Sequence, residues 1–206
     1  MAALRLAGHM KGRLIVVEGI DAAGKATQAQ NIARFLEKSQ PVAILDYPEY
    51  GKPIGDLISR FLRQEFTILP EAQFLLYAAD MLKDMPRIRQ LLDQGTTVLL
   101  NRYLTSTLAY QGSQGFPLEK GLAFLKLFEF PVPNLLFYLD ISPATSLARK
   151  RKQKPDLDRF ESQEAFQEQA ARFYRKMISS SVPGKWIPIN GEPSPDKVFA
   201  QIRKHL

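Results

Sequence analysis

Glu18-Gly19-Ile20-Asp21-Ala22-Ala23-Gly24-Lys25-Ala26-Thr27 is the stretch around which the chain is organised. The apolar run Leu14-Ile15-Val16-Val17 precedes it, and Ala29, Ile32, Ala33 and Leu36 follow it at helical spacing. A buried strand that turns through glycines into a helix is the context of a phosphate-binding loop. Gly19 and Gly24 let the backbone turn tightly and bring its N–H groups to phosphate oxygens. The positive end of the following helix points at the same anion. Lys25 adds a charge that reaches the outer phosphates. The spacing fits G-x-x-x-x-G-K-[ST] at every fixed position but the last, where Ala26 replaces the hydroxyl residue. The plainer alternative, a glycine turn carrying a solvated lysine, leaves the strand before it and the helix after it unexplained.

Working outward, short apolar runs alternate with helical patterns. Strands are predicted at 13–17, at Val42–Leu45 (read as buried), at Thr96–Leu100, at Leu135–Asp140 and at Trp186–Ile189. Helices are predicted from Lys25 to Lys38, from Leu57, from Pro70 through Leu82, around Ile88–Leu92, over Leu118–Phe128, from Pro143, over 161–178 and from Pro195 to His205. This alternation predicts an α/β fold, a parallel sheet with helices on both faces. Ligands of such sheets bind beyond the carboxyl ends of the strands. Gly19–Lys25, Asp46–Tyr50, Asn101–Arg102 and Asp140 are therefore expected to share one cleft.

The chain has 206 residues, 45% hydrophobic and 24% charged, as expected of one globular domain. That domain is placed over residues 11–206, with 1–10 set aside as a leader or tag-like segment. No apolar run approaches the ~20 residues of a membrane span. The absence of cysteine excludes disulfides, thiolate metal sites and cysteine nucleophiles, and suits a reducing, cytoplasmic setting. A net charge of +7 fits nucleic acid or a small polyanion. No nucleic-acid-binding motif accompanies it, which favours a small polyanionic substrate over nucleic acid.

Residues 14–28 resemble the opening of the thymidylate kinase (dTMP kinase) family, P-loop nucleoside monophosphate kinases. Asn101-Arg102-Tyr103-Leu104-Thr105-Ser106-Thr107-Leu108-Ala109-Tyr110-Gln111-Gly112 resembles the family's D-R-Y-x-x-S-x-x-A-Y-Q-G. Tyr47-Pro48-Glu49-Tyr50-Gly51-Lys52-Pro53-Ile54-Gly55 resembles F-P-x-R-x-x-x-I-G, and Leu75-Leu76-Tyr77-Ala78-Ala79-Asp80-Met81 resembles L-L-F-x-A-x-R. The basic run Arg149–Lys154 and then Asp158-Arg159-Phe160-Glu161 resemble the family's lid, placed here at about 149–160. Read alone, that run would equally be a solvated helix face, a localisation signal or a nucleic-acid patch.

The resemblance implies a five-stranded parallel sheet, transfer of the ATP γ-phosphoryl group to dTMP, Mg²⁺ as cofactor and a homodimer. It implies nucleotide phosphates on Gly19, Ile20, Asp21, Ala22, Ala23, Gly24, Lys25, Ala26 and Thr27, with Arg149 packing on adenine. It implies catalytic roles for Lys25, Arg102 and a lid arginine, Arg151 or Arg159, because Ala22 and Ala23 leave no arginine in the loop itself. It implies acceptor binding by Asp21 (to the sugar 3′-hydroxyl), Pro48, Tyr50, Tyr77, Met81, Arg102, Ser106, Tyr110 and Gln111. Tyr77 is equally readable as an aromatic core residue.

Four positions depart from the pattern. Ala26 lacks the hydroxyl that binds Mg²⁺, and Asn101 replaces a carboxylate expected near the metal or its waters. Tyr50 and Met81 replace arginines that hold the monophosphate and read the base. Two other readings therefore stay open. One is a kinase of another or of several nucleoside monophosphates, and the other a nucleotide-binding protein that has lost catalysis.

Overall fold

The computed structural model describes residues 11–153, 164–180 and 182–206. Residues 1–10, Arg159 and most of the expected lid lie outside them. Five strands form one parallel sheet in the order β2-β3-β1-β4-β5. They are β1 (Leu14–Glu18), β2 (Val42–Asp46), β3 (Thr97–Asn101), β4 (Leu135–Asp140) and β5 (Trp186–Asn190). The helices are α1 (Lys25–Leu36), α2 (Pro53–Leu62), α3 (Pro70–Leu82), α4 (Met85–Asp93), α5 (Leu104–Gly112), α6 (Leu118–Leu127), α7 (Pro143–Gln153), α8 (Glu164–Ile178) and α9 (Pro195–Ile202).

β1 is the central strand, since its apolar run Leu14–Val17 can be buried on both faces. Leu14 to Val17 are all buried, and the strand pairs with β3 on one side and β4 on the other. The next strand in sequence, β2, skips one place and pairs with β3 at the edge. This corrects the expectation of a buried second strand: Val42 and Ala43 are half-buried and Ile44 is 39% exposed. An apolar run of four residues does not tell an edge from a centre, because one covered face is enough to select it.

Helix starts also moved. α2 begins at Pro53, four residues before Leu57, because proline is preset for the first helical turn. The last helix ends at Ile202, and Arg203–His205 form a single tighter turn. The strand order switches sides about β1, which opens a cleft at the carboxyl ends of β1 and β3.

Candidate active site

The loop after β1 takes the backbone angles its glycines permit. Gly19 has φ 147° and Gly24 φ 94°. A Cβ on Gly19 would lie 2.8 Å from the Leu139 carbonyl oxygen, so a side chain there is excluded by both angle and space. Lys25 opens α1 and is buried; its Nζ donates to the carbonyls of Gly19 (3.0 Å) and Ile20 (2.7 Å). Burial, reinforced by the Arg102 charge, pushes Lys25 well below the usual lysine range. Ala26 and Thr27 are exposed on the first turn of α1.

Arg102 reaches this loop from the end of β3. Its Nη2 donates to Asp21 Oδ1 and its Nη1 to Ser106 Oγ at 3.4 Å. Its guanidinium lies 5.4 Å from the centre of the Tyr110 ring. Burial opposes the ionised form of Asp21, but Arg102, Lys25 and Lys150 outweigh it and hold the carboxyl at about 2. Gln167 of α8 completes the clasp, donating to Asp21 Oδ2 at 3.0 Å and accepting from the Asp21 backbone N–H at 3.2 Å.

Arg102 has a left-handed backbone, φ 71°, which a non-glycine residue holds only where its surroundings fix it. Its own N–H donates to the Val17 carbonyl at 3.1 Å. The next N–H, of Tyr103, donates to Glu18 Oε1 at 2.9 Å. Glu18 is fully buried and also accepts from the hydroxyls of Thr105, Ser106 and Tyr174. The motif reading passed over Glu18. Its signal was a charged residue closing an apolar strand, which inside a sheet has to be paired.

The acceptor side is an aromatic cleft lined by Asp21, Pro48, Tyr50, Tyr77, Met81, Arg102, Ser106, Tyr110 and Gln111. All the residues expected to hold the acceptor are thus brought together. Tyr47, Leu62, Tyr103, Thr107 and Lys150, not singled out in the sequence, line it too. Ser106 is less free than expected, since its hydroxyl already serves Glu18 and Tyr174. Met81 is 2% exposed and brings no charge to the wall. Lys83 cannot replace the missing arginines. Its Nζ is committed to Glu49 (2.9 Å) and Asp84 (2.8 Å) and lies 3.1 Å from Asp80 Oδ1. Asp80 Oδ2 accepts from the Glu49 N–H at 2.8 Å, which fastens the loop after β2 to α3.

Of the strand-end residues expected there, Lys25, Glu49 and Asn101 do not line this cleft, and Asp140 and Asp46 lie away from it. Asp140 ends β4 but pairs with Arg175 of α8 at 2.9 Å. Asp46 is exposed on the far side of the same loop, because β2 is an edge strand. Arg149 of α7 lies against the phosphate loop, donating to the carbonyls of Gly191 and Glu192 (3.0 Å each) and Ala22 (3.4 Å). Arg151, on the same helix, is exposed.

For a metal, the described residues offer no cluster of three or more carboxylates, histidines or cysteines. Asn101 Oδ1 is buried and has no hydrogen-bond partner among them. One neutral oxygen beside a phosphate loop fits a Mg²⁺ ion whose other ligands are phosphates and waters.

The thymidylate kinase family model matches residues 17–202. This chain belongs to the thymidylate kinase family. The thymidylate kinase of Carboxydothermus hydrogenoformans is 33% identical over 204 residues, covering 96% of this chain and 98% of that protein. The human thymidylate kinase is 29% identical over 197 residues, covering 94% and 89%. The solved thymidylate kinase of Candida albicans superposes with a TM-score of 0.74 at 24% identity, covering 94% of this chain and 90% of that one, and shares the fold.

Proposed function

We propose that this chain transfers the γ-phosphoryl group of ATP to dTMP, giving ADP and dTDP. The observation that carries the reading is Arg102, whose guanidinium stands between the phosphate loop and the aromatic acceptor cleft. A planar fork there can touch the donor and acceptor phosphates at once. The acceptor phosphate oxygen attacks the γ-phosphorus, the bond to the bridging β-γ oxygen breaks, and ADP departs with that oxygen. No covalent enzyme intermediate is required, so the protein's task is to position the nucleotides and neutralise charge.

Lys25 leaves the Gly19 and Ile20 carbonyls for the ATP phosphates, and the loop amides take the remaining oxygens. Asp21 accepts the sugar 3′-hydroxyl, Tyr77 and Tyr110 pack on base and sugar, and Gln111 meets the base edge. The segment at about 149–160 acts as the lid, from which Arg151 or Arg159 supplies charge to the transferring phosphoryl group. Asn101 would hold Mg²⁺, directly or through a water, and the ion would supply positive charge against the nucleotide phosphates. The active form is a homodimer, for which the exposed Leu57 of α2, Leu69 just before α3 and Leu75 of α3 supply apolar surface, and it works in the cytoplasm. Sedimentation and cell fractionation test these two points.

A second reading is favoured by Met81 and Tyr50, which leave the acceptor wall without its two expected cations. On that reading the enzyme accepts several nucleoside monophosphates. Coupled assays with dTMP, dUMP, dCMP, dGMP and dAMP across a Mg²⁺ titration decide between them. The expected result is the largest kcat/KM for dTMP. Comparable values for the whole panel establish the second reading. ATP binding with no dTDP formed at saturating Mg²⁺ overturns both.

A further inference from the structure

This inference rests on reading the cleft as a pyrimidine nucleotide acceptor site. Gln111 lines that cleft beside Tyr77 and Met81, and its Oε1 is buried with no partner among the described residues. Its Nε2 is already committed, donating to Gln73 Oε1 at 3.2 Å. A carboxamide presents a donor on one side and acceptors on the other, in nearly the same shape, so its sense is set by its partners. Gln73 has no choice of sense. It is buried, and its Nε2 donates to the backbone carbonyl of Ile68 at 3.0 Å, a group that only accepts. Its oxygen receives a second donor, Gln114 Nε2, at 3.3 Å. Turned around, Gln73 would set oxygen against oxygen at Ile68 and amine against two amines.

We propose that Gln73 is a positioning residue: it holds the Gln111 carboxamide by its amine and leaves the oxygen as the atom without a protein partner, so the cleft selects a base whose ring nitrogen N3 carries a hydrogen. Thymine offers that hydrogen. Cytosine offers a lone pair at the same atom, and a buried acceptor facing a lone pair is left unmet. Neither Ile68 nor Gln73 lines the cleft, so the selection acts through Gln111 alone.

The test compares kcat/KM for dTMP and dCMP in the full-length wild type, Gln73→Met and Gln73→Glu. Methionine frees Gln111 to turn, and the dTMP-to-dCMP ratio is expected to fall about tenfold, mostly through KM. Glutamate still accepts from Gln111 and should keep the wild-type ratio. An equal loss with both acceptors in Gln73→Met reduces Gln73 to a packing residue and overturns the proposal. A second measurement needs no variant. In the wild-type NMR spectrum the Gln111 side-chain amide protons should keep their hydrogen-bonded shifts and slow exchange when dTMP binds. Their transfer to the ligand as donors overturns the proposal. A wild type that makes no dTDP defeats the acceptor reading itself, before any variant is compared.

Discussion

Arg102 donates to the carboxylate of Asp21 across the mouth of the phosphate loop, joining the end of β3 to the turn after β1. The two residues are 81 positions apart in sequence. Arg102→Lys keeps a charge but loses the fork that reaches Asp21 and two phosphates together. We expect kcat/KM for dTMP to fall about a hundredfold or more, with most of the loss in kcat. Coupled initial-rate assays check this, and a change confined to KM would contradict a clamp that acts on the transferring group.

The same pair gives a pH dependence. The Asp21 carboxyl is lowered from 3.8 to about 2 in the folded chain. A depressed acid contributes stability above its unfolded value and loses it as pH falls toward its folded value. Wild-type stability should therefore drop by about 2 kcal/mol between roughly pH 4 and pH 2 on this account, and Asp21→Asn should flatten that slope. Urea denaturation at stepped pH measures both; identical slopes in the two proteins would disprove the linkage.

Glu18 satisfies a backbone N–H and three hydroxyls with one buried carboxylate. Glu18→Gln sets an amine against those donors. The expected cost is about 2–4 kcal/mol of stability. Activity should fall as well, because the left-handed Arg102 loses the anchor of the next N–H. Thermal melts and kinetics on the same sample test the coupling. A stable Gln variant with full activity would show that the four donors find other partners.

Restoring the departures at the metal position makes the opposite prediction. Ala26→Thr with Asn101→Asp supplies a hydroxyl and a carboxylate where the chain has a methyl group and a neutral amide. The Mg²⁺ concentration for half-maximal rate should drop about tenfold. A Mg²⁺ titration of the double variant that superimposes on the wild type would place the ion elsewhere.

Much of this architecture was legible in the sequence because it depends on local pattern. The Leu14–Val17 run, the glycines of the loop and the prolines before the helices each act over a few residues. What was not legible depends on neighbours distant in the chain. Val42–Leu45 read as a buried strand because apolar character does not report edge position. Asp140 sat correctly at a strand end, yet only the approach of α8 shows that Arg175 claims it. Nothing in the sequence marks Lys83 as the point on which Glu49, Asp80 and Asp84 converge. Gln73 and Gln167 carried no motif at all; they matter because of which atoms face Asp21 and Gln111.

Glu18 also sets a condition on how the chain matures. Its partners at Tyr103, Thr105 and Ser106 arrive with β3 and α5, but Tyr174 comes 156 residues later, on α8. A nascent chain that has emerged only through β4 can assemble the phosphate loop and still lack both Tyr174 and the Gln167 clasp on Asp21. The bracing of Asp21 and Glu18 is complete only once α8 has been made.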